Sequence, residues 1–150
     1  MALAMSAGIT YQILDTLPEI EAISTAWDTL LDQSPCNRAF SCSSWFLVSC
    51  ELNNAISPHV IVARRHEEIV GIFPLVLNED GSAVFASQLS DYNDIVGLED
   101  DQSVFAGLVE YVLSTATGCK RVVLNRIRSD SNCWRAVRAA LVRVRWPSLI

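Results

Sequence analysis

Positive charge is almost missing from the first 118 residues, which carry only Arg38, Arg64 and Arg65 against sixteen carboxylates, a net charge of −13. The deficit is made up in residues 119–150, where eight basic residues face the single acid Asp130, a net charge of +7. Such a tail either binds phosphate or nucleic acid or folds back on an acidic body, its own or another copy's. Its arginines alternate with core-type residues, which favours folding back, and nucleic acid is not expected as a partner. No basic cluster accompanies the small apolar stretch "MALAMSAGIT", so a secretory signal is not expected. Long apolar runs are lacking too. Residues 69–77 are broken by Gly71 and Pro74, and nothing approaches the roughly 20 residues of a membrane span, so no membrane association is expected. The five cysteines, Cys36, Cys42, Cys50, Cys119 and Cys133, form no C-x-x-C pair and are odd in number. The two histidines, His59 and His66, have no partner motif. A disulfide framework and a zinc site therefore have no support, and the thiols read as reduced, mostly buried apolar residues of a cytoplasmic protein.

What the chain does have is apolar material: 51% of its 150 residues are hydrophobic and 19% are charged, enough for one domain, residues 1–150, with a real core. A first strand is expected over Thr10 to Leu14. Thr16 and Glu19 have capping-box spacing, Pro18 falls in the first turn, and Ile20, Ile23, Trp27, Leu30 and Leu31 recur at helical spacing, so Pro18 to Asp32 is expected to be an amphipathic helix. Ser34-Pro35 ends it. A second helix is expected over Ser43 to Leu52, with Trp45, Val48 and Leu52 on one side. Strands follow at His59 to Arg65 and Ile69 to Leu77, joined as a hairpin by His66–Glu68. The turn Asn78 to Gly81 then leads into a third strand, Ala83 to Ser87, and Asp94 to Val96 reads as a short fourth. After Glu99, Asp100 and Asp101, the residues Phe105, Leu108, Val109, Val112 and Leu113 mark a helix with Gly118 as its C-cap. A fifth strand is expected over Arg121 to Ile127. A last helix follows over Ser129 to Val142, carrying Trp134, Val137 and Leu141 and stopped by Pro147. A helix pair, an antiparallel meander and a strand–helix–strand unit make an α/β architecture with a mixed sheet.

That order, together with "AWDTLLDQS", "NRAFSCSSWFLVSCE", "VIVARRHEEIVGIFPLVL" and "SDYNDIVG", resembles the GNAT superfamily of N-acetyltransferases. The closer resemblance is to the amino-terminal half of its CelD-like branch, which is related to the FemAB-like aminoacyl transferases. The resemblance covers roughly residues 20–145 and rests on the order of the pieces, among them Gly71-Ile72-Phe73-Pro74-Leu75 and Asp91-Tyr92-Asn93-Asp94. It implies a mixed, mostly antiparallel central sheet flanked by about four helices and cut short before the final strands. It also implies acetyl or acyl transfer from acetyl-CoA or another acyl-CoA to an amine or hydroxyl, in polysaccharide or cell-envelope biosynthesis. A GNAT cradles the CoA pyrophosphate on a Gly-rich loop at a helix N-terminus. The matching stretch here, "VGLEDDQS", has one glycine and three carboxylates. On this resemblance the chain is the degenerate half of a tandem arrangement, binding no CoA of its own and inactive alone. Its partner is a second copy, in a homodimer, or a second GNAT-type polypeptide. The alternative is a non-enzymatic dimerisation or interaction module on the same scaffold.

Asp91, Tyr92 and Asp94 are the catalytic candidates, a carboxylate as general base and the phenol as general acid, as acyl transfer requires. The competing reading is that the two aspartates close an Asx-type turn before a short strand. Trp45 and Arg126 are the substrate-contact candidates. Trp27, Trp45 and Trp134 also read as core anchors. Strand alternation puts Arg126 on the side of Val122 and Leu124, where an arginine needs an anion, either Asp94 or a ligand phosphate. Gly71 and Pro74 mark either an edge strand or a bulge that splays the sheet.

Overall fold

The computed structural model describes residues 4–6, 8–86, 90–114 and 118–144. In chain order these form β1 (Ala4–Ser6), β2 (Ile9–Leu14), α1 (Leu17–Asp32), α2 (Arg38–Ser41), α3 (Ser43–Leu52), β3 (Ile56–Arg65), β4 (Glu68–Asn78), β5 (Ser82–Phe85), β6 (Val96–Gly97), α4 (Gln102–Leu113), β7 (Arg121–Val122) and α5 (Asn132–Val144). Pro147 as a helix stop and Ser87 as a strand end lie outside the described residues.

The strands run in the order β1-β2-β3-β4-β5-β7, with β6 also on β4. Every pair is antiparallel except β5 with β7, so the sheet of this α/β domain is mixed and mostly antiparallel. The long hairpin β3–β4 is its centre. Alternation sends Val60, Val62, Ile72 and Val76 to one face and Ile61, Ala63, Phe73 and Leu75 to the other. A register shift between Ala63 and Arg64 breaks the pattern: Gly71 pairs with Ala63 and Ile69 with Arg64, leaving Val70 as the extra residue of a bulge. On its far side β4 has two neighbours in succession. β6 pairs with Gly71 and Ile72, and β5 pairs with Leu75, Val76 and Leu77. Pro74, which has no N–H to donate, sits in the interval between them, and this vacancy is what lets a proline stand inside a central strand.

Helices α1 and α3 cover one face, where Ile20, Trp27, Leu31 and Phe46 are buried against Val60, Val62 and Ile72. The start of α1 is built as its spacing requires. Thr16 Oγ1 accepts from the Glu19 N–H at 3.4 Å and Glu19 Oε2 accepts from the Thr16 N–H at 3.2 Å. Helices α4 and α5 cover the other face. The expected stripe of α4 is buried at Phe105, Leu108, Val109 and Val112 and partly buried at Leu113. At Gly107 of α4 a Cβ would collide with the hydroxyl of Tyr11, so a hydrogen is the only side chain that fits.

Several elements depart from the sequence pattern. The C-cap of α4 is Ser114, and Gly118, at φ +70°, lies beyond the helix in the connection to β7. The strand expected over Arg121 to Ile127 lasts two residues, because only Arg121 and Val122 find partners on β5. Arg126 stands at φ +53°, a conformation no strand contains. On α3 the buried side chains are Phe46 and Cys50, while Val48 is 48% and Leu52 82% exposed. On α5 the buried line is Cys133, Ala136 and Ala140, small residues that let the helix lie close, and Trp134 and Leu141 are left more than a third exposed. Of the tryptophans expected as anchors, Trp27 is fully buried and Trp134 is not. The basic tail does fold back on the acidic body, through Arg121–Asp80 at 2.8 Å and Arg126–Asp91 at 2.9 Å. Among the described residues no helix is long and apolar enough to cross a membrane, and all five cysteines are free.

Two outcomes are expected from this packing. Gly107→Ala should destabilise the domain by about 1–3 kcal/mol, the usual cost of overpacking, read as a lower urea midpoint at unchanged slope. His59, on β3, is buried at 3% exposure and its Nε2 has no hydrogen-bond partner. Burial pushes its pKa down, against a smaller upward pull from Asp15. As pH falls below about 6.5 the unfolded chain therefore takes up a proton that the folded chain resists, and stability present above that pH is lost at up to about 1.4 kcal/mol per pH unit. His59→Leu should flatten this acid limb in urea titrations between pH 5 and 7. An unchanged limb would move its cause elsewhere.

Candidate functional site

Residues 90–95, ahead of β6, follow an irregular path in which Asn93, Asp94 and Ile95 are nonetheless buried. Buried backbone off the ladder must find partners, and here it finds them in the segment after β7. The Asn93 N–H donates to the Arg126 carbonyl at 3.1 Å and Asn93 Nδ2 to the Asn125 carbonyl at 3.2 Å.

Asp94 is the hub. Its Oδ1 accepts from the Cys133 N–H at 2.7 Å and from the Ile95 N–H at 2.8 Å, and its Oδ2 accepts from the Asn132 N–H at 3.3 Å. The Cys36 thiol, 3.6 Å from Oδ2, completes the shell. Asn132 and Cys133 are the first two residues of α5, so a carboxylate remote in sequence satisfies two of the N–H groups that every helix start leaves open. Ser131 takes the next, its Oγ accepting from the Trp134 N–H at 3.1 Å. The Asn132 amide, fully buried, reaches back to the carbonyls of Ile95 at 3.1 Å and Gly97 at 3.3 Å. Burial pushes the Asp94 pKa above the ordinary carboxylate range while the three N–H donors pull it down. Burial is also the main cause that raises the thiol pKa values of Cys36 and Cys133, which therefore stay protonated and unreactive.

Beside this hub opens a cleft of about 590 Å³. Tyr92, Asn93 and Asp94 form one side, Arg128, Asp130, Ser131 and Arg135 another, and Cys36, Asn37 and Glu99 close it. The charges are of both signs and partly matched. Arg128 makes a two-pronged pair with Asp130 at 2.8 and 3.0 Å and lies over the Tyr92 ring, 5.4 Å from its centroid. Arg135 is only 3.8 Å from Glu99, and its buried Nε has no partner. Tyr92 stands at φ +61°, a costly conformation for a tyrosine that turns its ring outward at 48% exposure.

The sequence candidates divide. Tyr92 and Asp94 line the cleft, whereas Asp91 and Arg126 lie outside it, both half-exposed and paired with each other. Arg126 therefore takes Asp91, not Asp94, as its anion. Trp45 is away from the cleft, its Nε1 donating to Ser90 Oγ at 2.7 Å and its ring edge-on to Phe40. Four donors already occupy Asp94, and only the Ile95 N–H is local: the others are the Asn132 and Cys133 N–H groups of α5 and the Cys36 thiol between α1 and α2. Cys36, Asn37, Glu99, Arg128, Asp130, Ser131 and Arg135 were not singled out. Their only signal was Ser131 ahead of an amphipathic run, a capping position, since the rest converge through tertiary contacts.

The acetyl-CoA implied by the resemblance does not fit the start of α4. Asp101 is the N-cap residue, but its side chain accepts no capping hydrogen bond and instead faces Arg65 at 3.4 Å. The one glycine of the stretch, Gly97, has its open side filled by the Phe105 ring, so it offers no close backbone approach to a pyrophosphate.

Removal of the hub should be costly. Asp94→Ala leaves buried N–H groups without acceptors and is expected to destabilise the domain by roughly 2–4 kcal/mol in urea unfolding. Asp91→Ala, which breaks an exposed pair, should shift the midpoint little. Equal effects would remove Asp94 from its structural position. No family model matches the chain, and no curated protein and no solved structure matches it either.

Proposed function

We propose that this chain is a ligand-recognition domain on a GNAT-like scaffold, the amino-terminal, degenerate half of an acyltransferase. In this reading it holds the amine- or hydroxyl-bearing acceptor and leaves acyl-CoA to a partner. The observation that carries the proposal is the cleft of about 590 Å³ beside Asp94, which offers carboxylates, guanidinium groups, amides and a hydroxyl within one concave surface. A small polyhydroxylated amine such as an amino sugar matches that set: Glu99 suits an ammonium, and the Asn93 and Asn37 amides suit hydroxyls. The succession of β6 and β5 along β4 supports the scaffold, because it opens the sheet beside Pro74 where the resemblance expects a splay. The acidic start of α4 supports the loss of the cofactor site. Asp94 acts here as a positioning residue that holds the α5 wall of the cleft, and Tyr92 is the exposed group that meets the ligand.

A second reading, a dimerisation or interaction module without chemistry, is favoured by the apolar pair Val48 and Leu52 standing exposed one turn apart on α3. Two measurements separate the readings. Calorimetry of the chain with acetyl-CoA should give no saturable binding, and turnover assays with amine acceptors should be blank. Glucosamine, titrated into isotope-labelled protein, should shift the amide signals of Tyr92, Asn93, Ser131 and Arg135 together. Saturable acetyl-CoA binding would overturn the degenerate-half assignment. Silent cleft signals alongside a concentration-dependent dimer that Leu52→Glu disperses would establish the second reading.

A further inference from the structure

We infer a second binding site, independent of the cleft, at the other end of α5: an apolar cavity that takes the chain of a linear aliphatic carboxylate and holds its head group at Lys120. The cavity measures about 330 Å³ and shares no lining residue with the polar cleft. Its walls are Val109 and Val112 of α4, Val137 and Leu141 of α5, and Val122 and Leu124 of the segment that begins as β7. This segment leaves the sheet after two residues, and its Val122 and Leu124 pack against the core only partly buried, with a hollow between them and the two helices. The resulting hollow is unfilled by the described side chains and is too apolar to hold water well.

The mouth supplies the polarity of the ligand. Lys120 and Arg121 are the charged residues of its lining, and both are exposed. Arg121 is already committed, Nη2 to Asp80 at 2.8 Å and Nε to Ser82 Oγ at 2.7 Å. Lys120 has no ion pair among the described residues. Its backbone N–H is fixed on the Gly81 carbonyl at 3.0 Å and its methylenes lie along Gly81, so the stem is held while the ammonium is free. Apolar walls with one unmatched cation at the opening select a molecule with an alkyl body and a single anionic end. A peptide is a poor fit, because the walls offer nothing to its backbone groups. The volume, at the small end of ligand pockets, favours a short or medium chain.

Titration of the full chain with hexanoate, octanoate and decanoate, each below its micelle concentration, tests this. Affinity should rise about fourfold per added methylene until the cavity is full and then level off. Octanol, without the charge, should bind several-fold more weakly than octanoate, and Lys120→Gln should erase that difference while leaving octanol unaffected. Val137→Phe, or Val122→Phe from the opposite wall if the first fails to fold, should abolish binding by filling the space. Absence of saturable octanoate binding, affinity independent of chain length, or binding that survives both filling substitutions would each overturn the assignment. A dimer seen by sedimentation, unaffected by octanoate and lost with Val137→Phe, would assign the hollow to a second copy instead. None of these outcomes depends on the cleft, so the two proposals stand or fall separately.

Discussion

A single carboxylate organises the half of the molecule where the cleft lies. Asp94 joins the approach to β6, the first turn of α5 and, through Cys36, the chain between α1 and α2. These parts are distant in sequence and share no sheet ladder. What holds them is the electrostatic preference of a buried anion for the N–H groups of a helix start, together with the Asn132 amide that ties the same helix to the strand. The arrangement explains why Asn93, Asp94 and Ile95 are buried although they form no regular structure.

The second constraint lies in β4, which serves two partners on one edge. A strand that changes neighbour midway leaves a stretch of its edge unpaired, and Pro74 is suited to that stretch because it has no donor to leave unsatisfied. The irregular residues ahead of β6 lie beside this interval, Ser90 and Asn93 lining one small pocket with Pro74. Cleft and sheet meet in this segment: Tyr92, Asn93 and Asp94, which lead into β6, form one side of the cleft.

Much of this architecture could be read from local pattern. The Thr16–Glu19 box, the stripe of α4, the β3–β4 hairpin and the turn at Gly81 are encoded within a few residues each, and the structure builds them as written. What could not be read depends on contacts over distance. Residues 121–127 look like a strand, yet pairing with β5 ends at Val122, opposite Ala83, and by Arg126 the backbone has turned to φ +53°. The buried face of α5 consists of Cys133, Ala136 and Ala140, and a search for large apolar side chains selects Trp134 and Leu141 instead, which are exposed. At the site, Tyr92 and Asp94 stood out because acids and a tyrosine are conspicuous beside an apolar run. Arg128 and Arg135 did not, since nothing near them in sequence marks their convergence on the same space.

The capping of α5 by Asp94 has a kinetic consequence. Donor and acceptor are 38 and 39 residues apart, so this helix start is completed by a contact of high sequence separation and not by its own neighbours. Ser131 alone can nucleate the turn, and two of its first N–H groups stay solvated until the central hairpin has set the 94–97 segment in position. The wall of the cleft is therefore assembled after the sheet, and any local opening that releases Asp94 frays α5 from its first turn and opens the cleft while β3 and β4 remain paired.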